Sequence, residues 1–388
     1  MEIFFWISIA VILYTYLGYG LLLFMLLKIK GLLVGKKGIP DTGYTPSVTV
    51  VVAAYNEAYC IEEKIVNTLA LNYPSNKIHF IFITDGSTDE TPSIIAKYPQ
   101  ILGMHEPGRS GKIAAVHRAM GKVDTEIVVF TDANTMLNKD AILLMCRHYQ
   151  DEKVGAIAGE KRVQIADSAD ATAGEGFYWK YESKLKKWDS ELYSVVGAAG
   201  ELFSIRTNLY EPVEPDTILD DFMISMNIAL KGYKIVYEPE AYATELASAN
   251  TGEELKRKIR IAAGGVQSTI RLRALLLPFK QPVLSFEYIS HRILRWVVTP
   301  YLMILAFIFN IVLVTNLGFP NIYGLMLLGQ LVFYSAALLG WVMEQKQLKV
   351  KIFFIPYYFC LMNYAVIAGF VRYFFGEQSV LWEKAKRK

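Results

Sequence analysis

The sequence predicts an α/β protein in which a doubly wound, mostly parallel sheet lies between membrane-spanning helices. Three observations predict this fold class. Long uncharged apolar segments occupy both ends of the chain. Strand and helix patterns alternate between about residues 47 and 245, as they do in doubly wound sheets. Val48 to Ala53 is a nearly continuous β-branched run, which is typical of a parallel strand covered on both faces.

The N-terminal segment Ile3 to Leu27 contains no charged residue and is long enough to cross a bilayer as a helix. It lacks the basic start, shorter core and small-residue cleavage site of a secretory signal. Basic residues follow it and none precedes it: Lys28, Lys30, Lys36 and Lys37. The positive-inside rule therefore predicts an outside N-terminus and a cytoplasmic middle region.

The middle region reads as strands and helices with a polar cluster after each strand. The predicted elements are, in order, a strand over 48–53, a helix over 56–71, and strands over 78–84 and 126–130. Ser87 and Glu90 have capping-box spacing, which predicts that a helix begins there. The clusters "AAYNE", "TDGS" and "TDAN" follow the strands, and doubly wound sheets bind ligands beyond such strand ends.

The C-terminal region contains three further apolar segments of spanning length, which are Val297–Thr315, Ile322–Met343 and Ile352–Val371. Residues 262–296 mix basic, leucine and aromatic side chains, which predicts an interfacial amphipathic segment; a surface helix is the alternative. Four crossings would leave the basic residues at 384–388 outside, against the charge rule. Either one segment is re-entrant or interfacial, or the tail violates the rule. Pro356 and Asn363 interrupt the last segment most.

Composition excludes several functional classes. A net charge of +3 over 388 residues gives no support for a nucleic-acid partner. The three cysteines are far apart in sequence and are expected to be reduced. The histidines lack zinc-ligand spacing, and without a G-x-S-x-G elbow an α/β-hydrolase would have no nucleophile.

Asp132 and Asn134 are the first candidates for chemistry. They follow the apolar run Ile127 to Phe130 and are two residues apart, so both can reach one ion. Oxygen ligands favour Mg²⁺ or Mn²⁺, and such ions commonly share coordination with a diphosphate. The alternative is an Asx-turn or a helix cap.

Acceptors and a cation at neighbouring positions favour the ligand-binding interpretation. Glu57, Asp85 and Asp89 follow two adjacent strands and can accept hydrogen bonds from a sugar or a base. Lys112 in "GRSGK" begins a predicted helix, where backbone N–H groups also favour anions. The glycine spacing is not that of a Walker A loop. These residues fit a nucleotide diphosphate bound without a standard phosphate loop.

Two acids and two arginines complete the set of candidates. Asp220 and Asp221 begin a predicted helix; they either complement its dipole or include a general base for an attacking hydroxyl. Arg257 and Arg260 share a helix face because they are three residues apart. They form either an exposed basic face or a site that neutralises a departing diphosphate.

In this order and spacing, with flanking spans, the motifs resemble those of the membrane-bound family 2 glycosyltransferases, which have the GT-A fold. The resemblance is greatest to the cellulose, chitin and hyaluronan synthase-like branch and related bacterial polysaccharide transferases, and it covers Val48 to the tail. It implies an inverting, metal-dependent glycosyltransferase of the hexosyltransferase type. The expected donor is a UDP-sugar, and the expected cofactor is Mg²⁺ or Mn²⁺.

The resemblance also implies roles for individual residues on the donor side. "VVAAYNEA" places Ala54, Tyr55 and Glu57 near the base and ribose. In "TDGSTDET", Asp85 matches the aspartate that contacts the base, whereas Thr84 replaces the other acid. "GRSGKIAAV" places Lys112 near the diphosphate, and "TDANT" matches D-x-D. Asp132 would thus bind metal and diphosphate, with Asn134 as an uncharged second ligand.

On the acceptor side, "LDDF" aligns with T-E-D. This places Asp221 on the catalytic base and assigns Asp220, with Gly200, to the acceptor side. "RKIRI" aligns with Q-x-x-R-W: Arg260 matches the Arg, Arg257 replaces Gln, and Ile261 replaces Trp. In processive synthases that Trp helps to hold the polymer, so Ile261 favours a single addition to a lipid-linked or glycan acceptor.

The predicted function is therefore sugar transfer in cell-envelope or exopolysaccharide synthesis. The alternatives are a processive synthase that also translocates its polymer, and a non-catalytic nucleotide-sensing membrane protein. The expected location is the inner (plasma) membrane with several spans and a cytoplasmic catalytic domain; membrane lipid and other polysaccharide-export proteins are the expected partners. The predicted divisions are a spanning helix (1–30), the GT-A domain (44–262), an interfacial segment (263–296), C-terminal spans (297–376) and a basic tail (377–388).

Overall fold

The computed structural model describes residues 1–35, 43–164, 173–246, 251–346, 348 and 350–376. The chain divides into two compact units. The helical unit comprises Met1–Lys28, Ile165–Leu185 and Asn250–Gln378. The sheet unit comprises Ile29–Gln164 and Lys186–Ala249, together with Ser379–Lys388, which lies outside the described residues.

The sheet unit contains, within the described ranges, an eight-stranded mixed sheet in the order β3-β2-β1-β4-β7-β6-β8-β5. The strands are Val48–Ala54 (β1), Ile78–Asp85 (β2), Leu102–Glu106 (β3), Ile127–Asp132 (β4), Met136–Leu137 (β5), Val154–Gln164 (β6), Leu202–Arg206 (β7) and Lys234–Leu246 (β8). Strands β3, β2, β1 and β4 are parallel, and β7 is antiparallel to β4. Every residue of β1 is buried, as its β-branched run predicts for a doubly covered strand.

The register of the parallel strands brings the three polar clusters to one edge. Ala54 of β1 lies opposite Thr84 of β2, and Ala53 lies opposite Asp132 of β4. Because parallel strands end at the same edge of a sheet, the residues that follow β1, β2 and β4 face a common space. The predicted convergence of "AAYNE", "TDGS" and "TDAN" is confirmed.

The helices on the sheet correct two sequence predictions. They are Ile61–Leu69 (α3), Thr91–Ile95 (α4), Lys112–Met120 (α5), Ala141–Cys146 (α6) and Asp220–Leu230 (α8), and Ala173–Leu192 (α7) contributes residues to both units. The helix predicted from residue 56 begins later, because Asn56 has a positive φ of 53° and its backbone N–H donates to Ser87 Oγ. The Ser87–Glu90 capping box was also wrong: α4 begins at Thr91, whose N–H donates to Asp89 Oδ1 at 3.0 Å.

Among its described residues, the helical unit contains four helices that are long and apolar enough to cross a membrane. They are Glu2–Leu33, Pro282–Leu317, Ile322–Gln345 and Lys351–Phe375. The unit's elements are Glu2–Leu13 (α1), Tyr19–Val34 (α2, which continues into the sheet unit), Thr251–Arg271 (α9), Pro282–Tyr288 (α10), Thr299–Leu317 (α11), Ile322–Gln345 (α12) and Lys351–Phe375 (α13). π-Helical turns join α1 to α2 and α10 to α11. The predicted spans are confirmed by length and composition, and the chain is a membrane protein.

The last span is a continuous helix although it contains Pro356 and Asn363. Asn363 Oδ1 accepts from Tyr16 Oη at 3.0 Å, and its amide donates to Phe359 O at 2.9 Å. Polar side chains in membrane helices are commonly satisfied by such interhelical bonds. Asn363, which interrupts the apolar segment in the sequence, therefore joins this span to the N-terminal helix through its bond with Tyr16.

The predicted interfacial segment is mostly helical, and its place at the membrane interface stays a prediction. Helix α9 continues to Arg271, so the predicted boundary after residue 262 falls inside a helix. From Pro282 the chain forms one helix of 36 residues, about 54 Å long at 1.5 Å per residue. His291 Nε2, Arg292 Nη1 and Arg295 Nη1 contact the carboxylate of Glu182 at 3.1, 2.9 and 2.8 Å. These basic side chains thus tie that helix to α7.

Replacing Gly369 by alanine is expected to weaken the packing of α9 against α13. A Cβ at Gly369 would lie 2.5 Å from Ala262 Cβ and 2.8 Å from Ala263 N. Overpacking of this kind costs roughly 1–3 kcal/mol, so thermal unfolding in detergent should show a lower midpoint. Gly329→Ala in α12 is the matched control, since no described atom lies within 4 Å of its Cβ position. Equal midpoints for the two variants would contradict the prediction.

Candidate functional site

An open cleft with an empty volume of about 300 Å³ lies beyond the ends of β1 and β2. Its lining residues are Ala53, Ala54, Tyr55, Asp85, Arg109, Gly111, Lys112 and Ala115. Ala54, Tyr55, Asp85 and Lys112 were predicted as nucleotide-binding residues, and the structure brings these four together. Arg109 was not predicted.

Asp85 shapes the glycine-rich loop at this cleft. Its Oδ2 accepts from the backbone N–H groups of Ser110 and Gly111 at 2.7 and 2.6 Å. Its Oδ1 accepts from Arg118 Nη2 at 2.6 Å. The carboxylate is only 4% exposed, and the bonds it accepts fix the loop that leads into α5. Any contact between Asp85 and a base stays a prediction and would add to these bonds.

Thr84, which replaces an acid of the family pattern, is fully buried and bonds within the sheet. Its Oγ1 lies 2.8 Å from His105 Nδ1 and 3.3 Å from Met104 O. Both partners belong to the edge strand β3. The position therefore serves strand pairing in this chain.

Arg109 stacks on Tyr55 at the wall of the cleft. The guanidinium carbon lies 3.9 Å from the centre of the Tyr55 ring, within the range of a cation–π contact. Gly86, with φ of +68°, allows this approach, because a Cβ there would lie 2.5 Å from Arg109 Cβ. The "GRSGK" motif contains this arginine, but no local pattern identifies a stacking partner in another loop.

Lys112 lies among three carboxylates. Its Nζ contacts Asp132 Oδ1 at 2.7 Å and Asp220 Oδ2 at 4.0 Å. Burial alone would lower the pKa of Lys112, but the charges of Asp132, Asp220 and Asp221 raise that pKa well above its usual range. The ammonium is therefore held charged at the first turn of α5, where backbone N–H groups also favour anions.

Asp221, the predicted catalytic base, lies at the start of α8. Its Oδ1 accepts from the N–H of Phe222 at 2.8 Å. Gly200 makes room for it, because a Cβ there would lie 3.2 Å from both Asp221 Oδ2 and Lys112 Nζ. Burial and the charge of Asp220 raise the pKa of Asp221 to about 7, although Lys112 opposes the shift. A carboxylate with a pKa in this range is suited to general-base catalysis near neutral pH.

Asp132 and Asn134 offer oxygen ligands at the end of β4. Asp132 is the last residue of the strand, and Thr135 Oγ1 donates to Asp132 O at 3.0 Å and closes the turn. The described part of the chain contains no cluster of three or more His, Cys, Asp or Glu side chains that could hold a metal. Carboxylate and amide oxygens are the kind of ligand that a hard divalent cation prefers, and the binding of a metal by this pair stays a prediction.

Three further predicted residues have contacts of a different kind. Glu57 is 3% exposed, and its Oε2 lies 3.4 Å from Cys60 Sγ. Arg257 and Arg260 belong to α9 in the helical unit, where Arg257 Nη1 lies 3.7 Å from Glu254 Oε2. The roles of these three residues in nucleotide-sugar binding stay predictions.

The middle of the chain matches a family model and is similar to named relatives. Residues 49–213 match the family model for Glycosyl transferase family 2. Poly-beta-1,6-N-acetyl-D-glucosamine synthase of Staphylococcus aureus (strain COL) is 28% identical over 231 residues, which are 58% of this chain and 56% of that protein. The synthase of the same name from Staphylococcus epidermidis is 27% identical over 287 residues, 70% of this chain and 68% of that protein. The chain thus spans just over half the length of the Staphylococcus aureus relative.

A solved structure shows the same fold. Mannosyltransferase PcManGT from Pyrobaculum calidifontis, determined in complex with GDP-Man and Mn²⁺, superposes with a TM-score of 0.73 and 24% identity. The match covers 96% of this chain and 99% of that chain. The predicted GT-A fold with flanking membrane helices is confirmed.

Asp221→Asn is expected to stabilise the protein above pH 7 and to change its stability little near pH 4. The pKa of Asp221 rises from its usual 3.8 to about 7 in the fold. Between these values the folded state keeps a proton that the unfolded state has lost, so ionising Asp221 costs stability as pH rises. The melting temperature of the variant should exceed that of the wild type by an amount that grows across this interval and then levels off. A difference in melting temperature that narrows with rising pH would contradict this prediction. So would the same difference for the exposed control variant Asp124→Asn.

Proposed function

We propose that this chain is a membrane-anchored, inverting, metal-dependent glycosyltransferase, because its residues 49–213 match the family model for Glycosyl transferase family 2. It transfers a sugar from a nucleotide-diphosphate sugar, with a UDP-sugar as the expected donor, to a lipid-linked or glycan acceptor. The reaction serves cell-envelope or exopolysaccharide synthesis. The observation that carries this proposal is the cluster in which Asp221 faces the ion pair of Lys112 and Asp132.

We propose that different residues of the cluster serve the donor and the acceptor. Lys112 and Asp132 follow strands of the parallel half of the sheet, at the cleft that Tyr55 and Arg109 line. A Mg²⁺ or Mn²⁺ ion held by Asp132 and Asn134 would supply neutralising charge for the donor diphosphate. We assign Asp221 and Gly200 to the acceptor side; Gly200 leaves room for both Asp221 Oδ2 and Lys112 Nζ.

The reaction follows from this arrangement. The acceptor hydroxyl oxygen bonds to the anomeric carbon on the face opposite the diphosphate, while the bond from that carbon to the diphosphate oxygen breaks. The hydroxyl proton passes to the Asp221 carboxylate, and the bonding electron pair leaves with the nucleoside diphosphate. Lys112 stabilises the charge that builds on the leaving group.

Release of nucleoside diphosphate from a panel of sugar donors tests the proposal. Purified protein would be incubated with Mn²⁺, a lipid extract as acceptor source, and UDP-GlcNAc, UDP-glucose, UDP-galactose or GDP-Man in turn. Release of nucleoside diphosphate from at least one donor, abolished by a chelator, is the expected result. Tight nucleotide binding without release from any donor would favour the non-catalytic sensor instead.

A processive synthase is the second candidate, because the two staphylococcal relatives are named as synthases of a polymer. Ile261 in place of the family Trp favours a single addition. Product length separates the two: long polymer formed from donor and purified protein alone would establish the processive form. In either form we propose a multi-pass protein of the inner (plasma) membrane with a cytoplasmic catalytic domain, acting beside other polysaccharide-export proteins.

Asp221→Asn should lower kcat by roughly 10²- to 10⁴-fold, the usual contribution of a general base, with little change in the KM of the donor. The amide keeps the shape of the side chain but cannot take the hydroxyl proton. Initial rates of nucleotide release at saturating donor measure the effect. Asp124→Asn, at an exposed residue of the loop before β4, is the control and should be fully active. An Asp221→Asn variant with wild-type kcat would remove Asp221 from the mechanism.

In the wild type, kcat/KM should fall as pH drops below about 7, because Asp221 then becomes protonated.

Asn134→Asp should lower the Mn²⁺ concentration needed for half-maximal activity by roughly tenfold, because a second carboxylate adds Coulomb attraction for the cation. Titrating activity with Mn²⁺ at fixed donor measures this shift. Asn208→Asp adds the same charge at an exposed residue of the sheet unit and should leave the titration unchanged. An unchanged titration for Asn134→Asp would exclude residue 134 as a ligand.

A further inference from the structure

Lys64 is a fully buried lysine in α3 that the mechanism above does not use. Its ammonium donates to Thr131 Oγ1 at 2.9 Å and to Thr135 O at 2.7 Å, two uncharged oxygens. Burial lowers the pKa of Lys64 to about 7 although the charge of Asp132 opposes the shift. Burying an ammonium costs several kcal/mol even when it is hydrogen-bonded. Core packing alone therefore does not explain why a lysine occupies this position.

The two acceptors of Lys64 enclose the turn that carries Asp132 and Asn134. Thr131 directly precedes Asp132, and Thr135 directly follows Asn134. A second side chain of the same region, Cys60, has its Sγ 3.8 Å from the carbonyl of Ala133 in the middle of the turn. The start of α3 therefore holds this turn at both ends and at its centre.

The same bonds continue to the acceptor side of the site. A hydroxyl can accept one hydrogen bond while it donates another, and Thr131 Oγ1 also donates to Glu201 O at 2.9 Å. Glu201 follows Gly200, the residue whose lack of a side chain leaves room for Asp221 and Lys112. Lys161 Nζ contacts the Glu201 carboxylate at 2.6 Å and so fixes the other end of that residue. Lys64 thus connects, through one hydroxyl, the turn on the donor side with the turn on the acceptor side.

We infer that Lys64 is a positioning residue that fixes the spacing between the Asp132–Asn134 turn and the Gly200–Asp221 side of the site. The inference rests on the proposed function. Catalytic groups must be held within about 0.5 Å of their productive geometry, and a misplacement of about 1 Å can cost a hundredfold in rate. The role depends on the hydrogen bonds that Lys64 donates, since these hold the turn whether the amine is charged or neutral.

Lys64→Met tests this, because methionine has a similar length and no donor. We expect kcat to fall about a hundredfold, by the geometric argument above. We also expect the affinity for Mn²⁺ in the presence of UDP or GDP, measured from the EPR signal of free Mn²⁺, to weaken about tenfold. Lys77→Met is the matched control, because the Lys77 ammonium also donates to a carbonyl and a hydroxyl, those of Thr45 at 2.8 and 3.2 Å. Thr45 lies before β1 and does not belong to the turns of the site. This control should keep wild-type kcat and Mn²⁺ affinity.

Thr131→Val provides a second variant that removes the shared hydroxyl and should lower kcat and Mn²⁺ affinity in the same direction; it decides the question if Lys64→Met does not fold. Variants that lose thermal stability but keep wild-type kcat and Mn²⁺ affinity would overturn the inference, because Lys64 would then be only structural. A wild type that binds Mn²⁺ with nucleotide but transfers no sugar would refute the proposed function, while the Mn²⁺ comparison would still decide the role of Lys64. A wild type that binds no Mn²⁺ with either nucleotide would overturn both.

Discussion

The ion pair between Lys112 and Asp132 organises the site, because the other charged groups are placed around it. One ammonium contacts Asp132 at 2.7 Å and Asp220 at 4.0 Å and interacts with the charge of Asp221. Three ionised carboxylates and one ammonium would sum to a charge of −2. Burial, together with the negative charge of Asp220, is the reason that the pKa of Asp221 is raised. Such a site repels a diphosphate unless positive charge accompanies it, and the divalent cation proposed above would supply that charge.

The same charges connect donor binding to the state of the base. Positive charge brought in with the donor favours the ionised form of a nearby carboxylate, so loading of the donor side should lower the pKa of Asp221 and free it to accept a proton. Gly200 allows this coupling, since a side chain there would come within 3.2 Å of both Asp221 Oδ2 and Lys112 Nζ. A base that stays protonated until the donor is bound also limits the cost of burying three carboxylates together.

Sequence patterns predicted the elements and strand ends well, because those features depend on local side chains. The β-branched run of β1 required a doubly covered strand, and parallel pairing then placed Ala53 opposite Asp132. The four spans were predictable because hydropathy is summed along the chain. The architecture of residues 263–296 was not, because hydropathy treats Arg292 and Arg295 as solvent-seeking charges, whereas both pair with Glu182, more than a hundred positions earlier. The late start of the helix at Ile61 depended on a bond between two loops, from the Asn56 N–H to Ser87 Oγ, which no local pattern contains.

Site residues were located by motif, but their partners were not. Asp85 was expected to contact a base, yet its carboxylate accepts from Ser110, Gly111 and Arg118. These bonds set the loop that carries Arg109 and the start of the helix that carries Lys112. Loss of activity in a variant at Asp85 would therefore not demonstrate contact with a base, because the loop would change as well. A motif fixes which residue stands at a strand end; whether it touches the ligand or holds the loop that does depends on which N–H groups the fold brings to it.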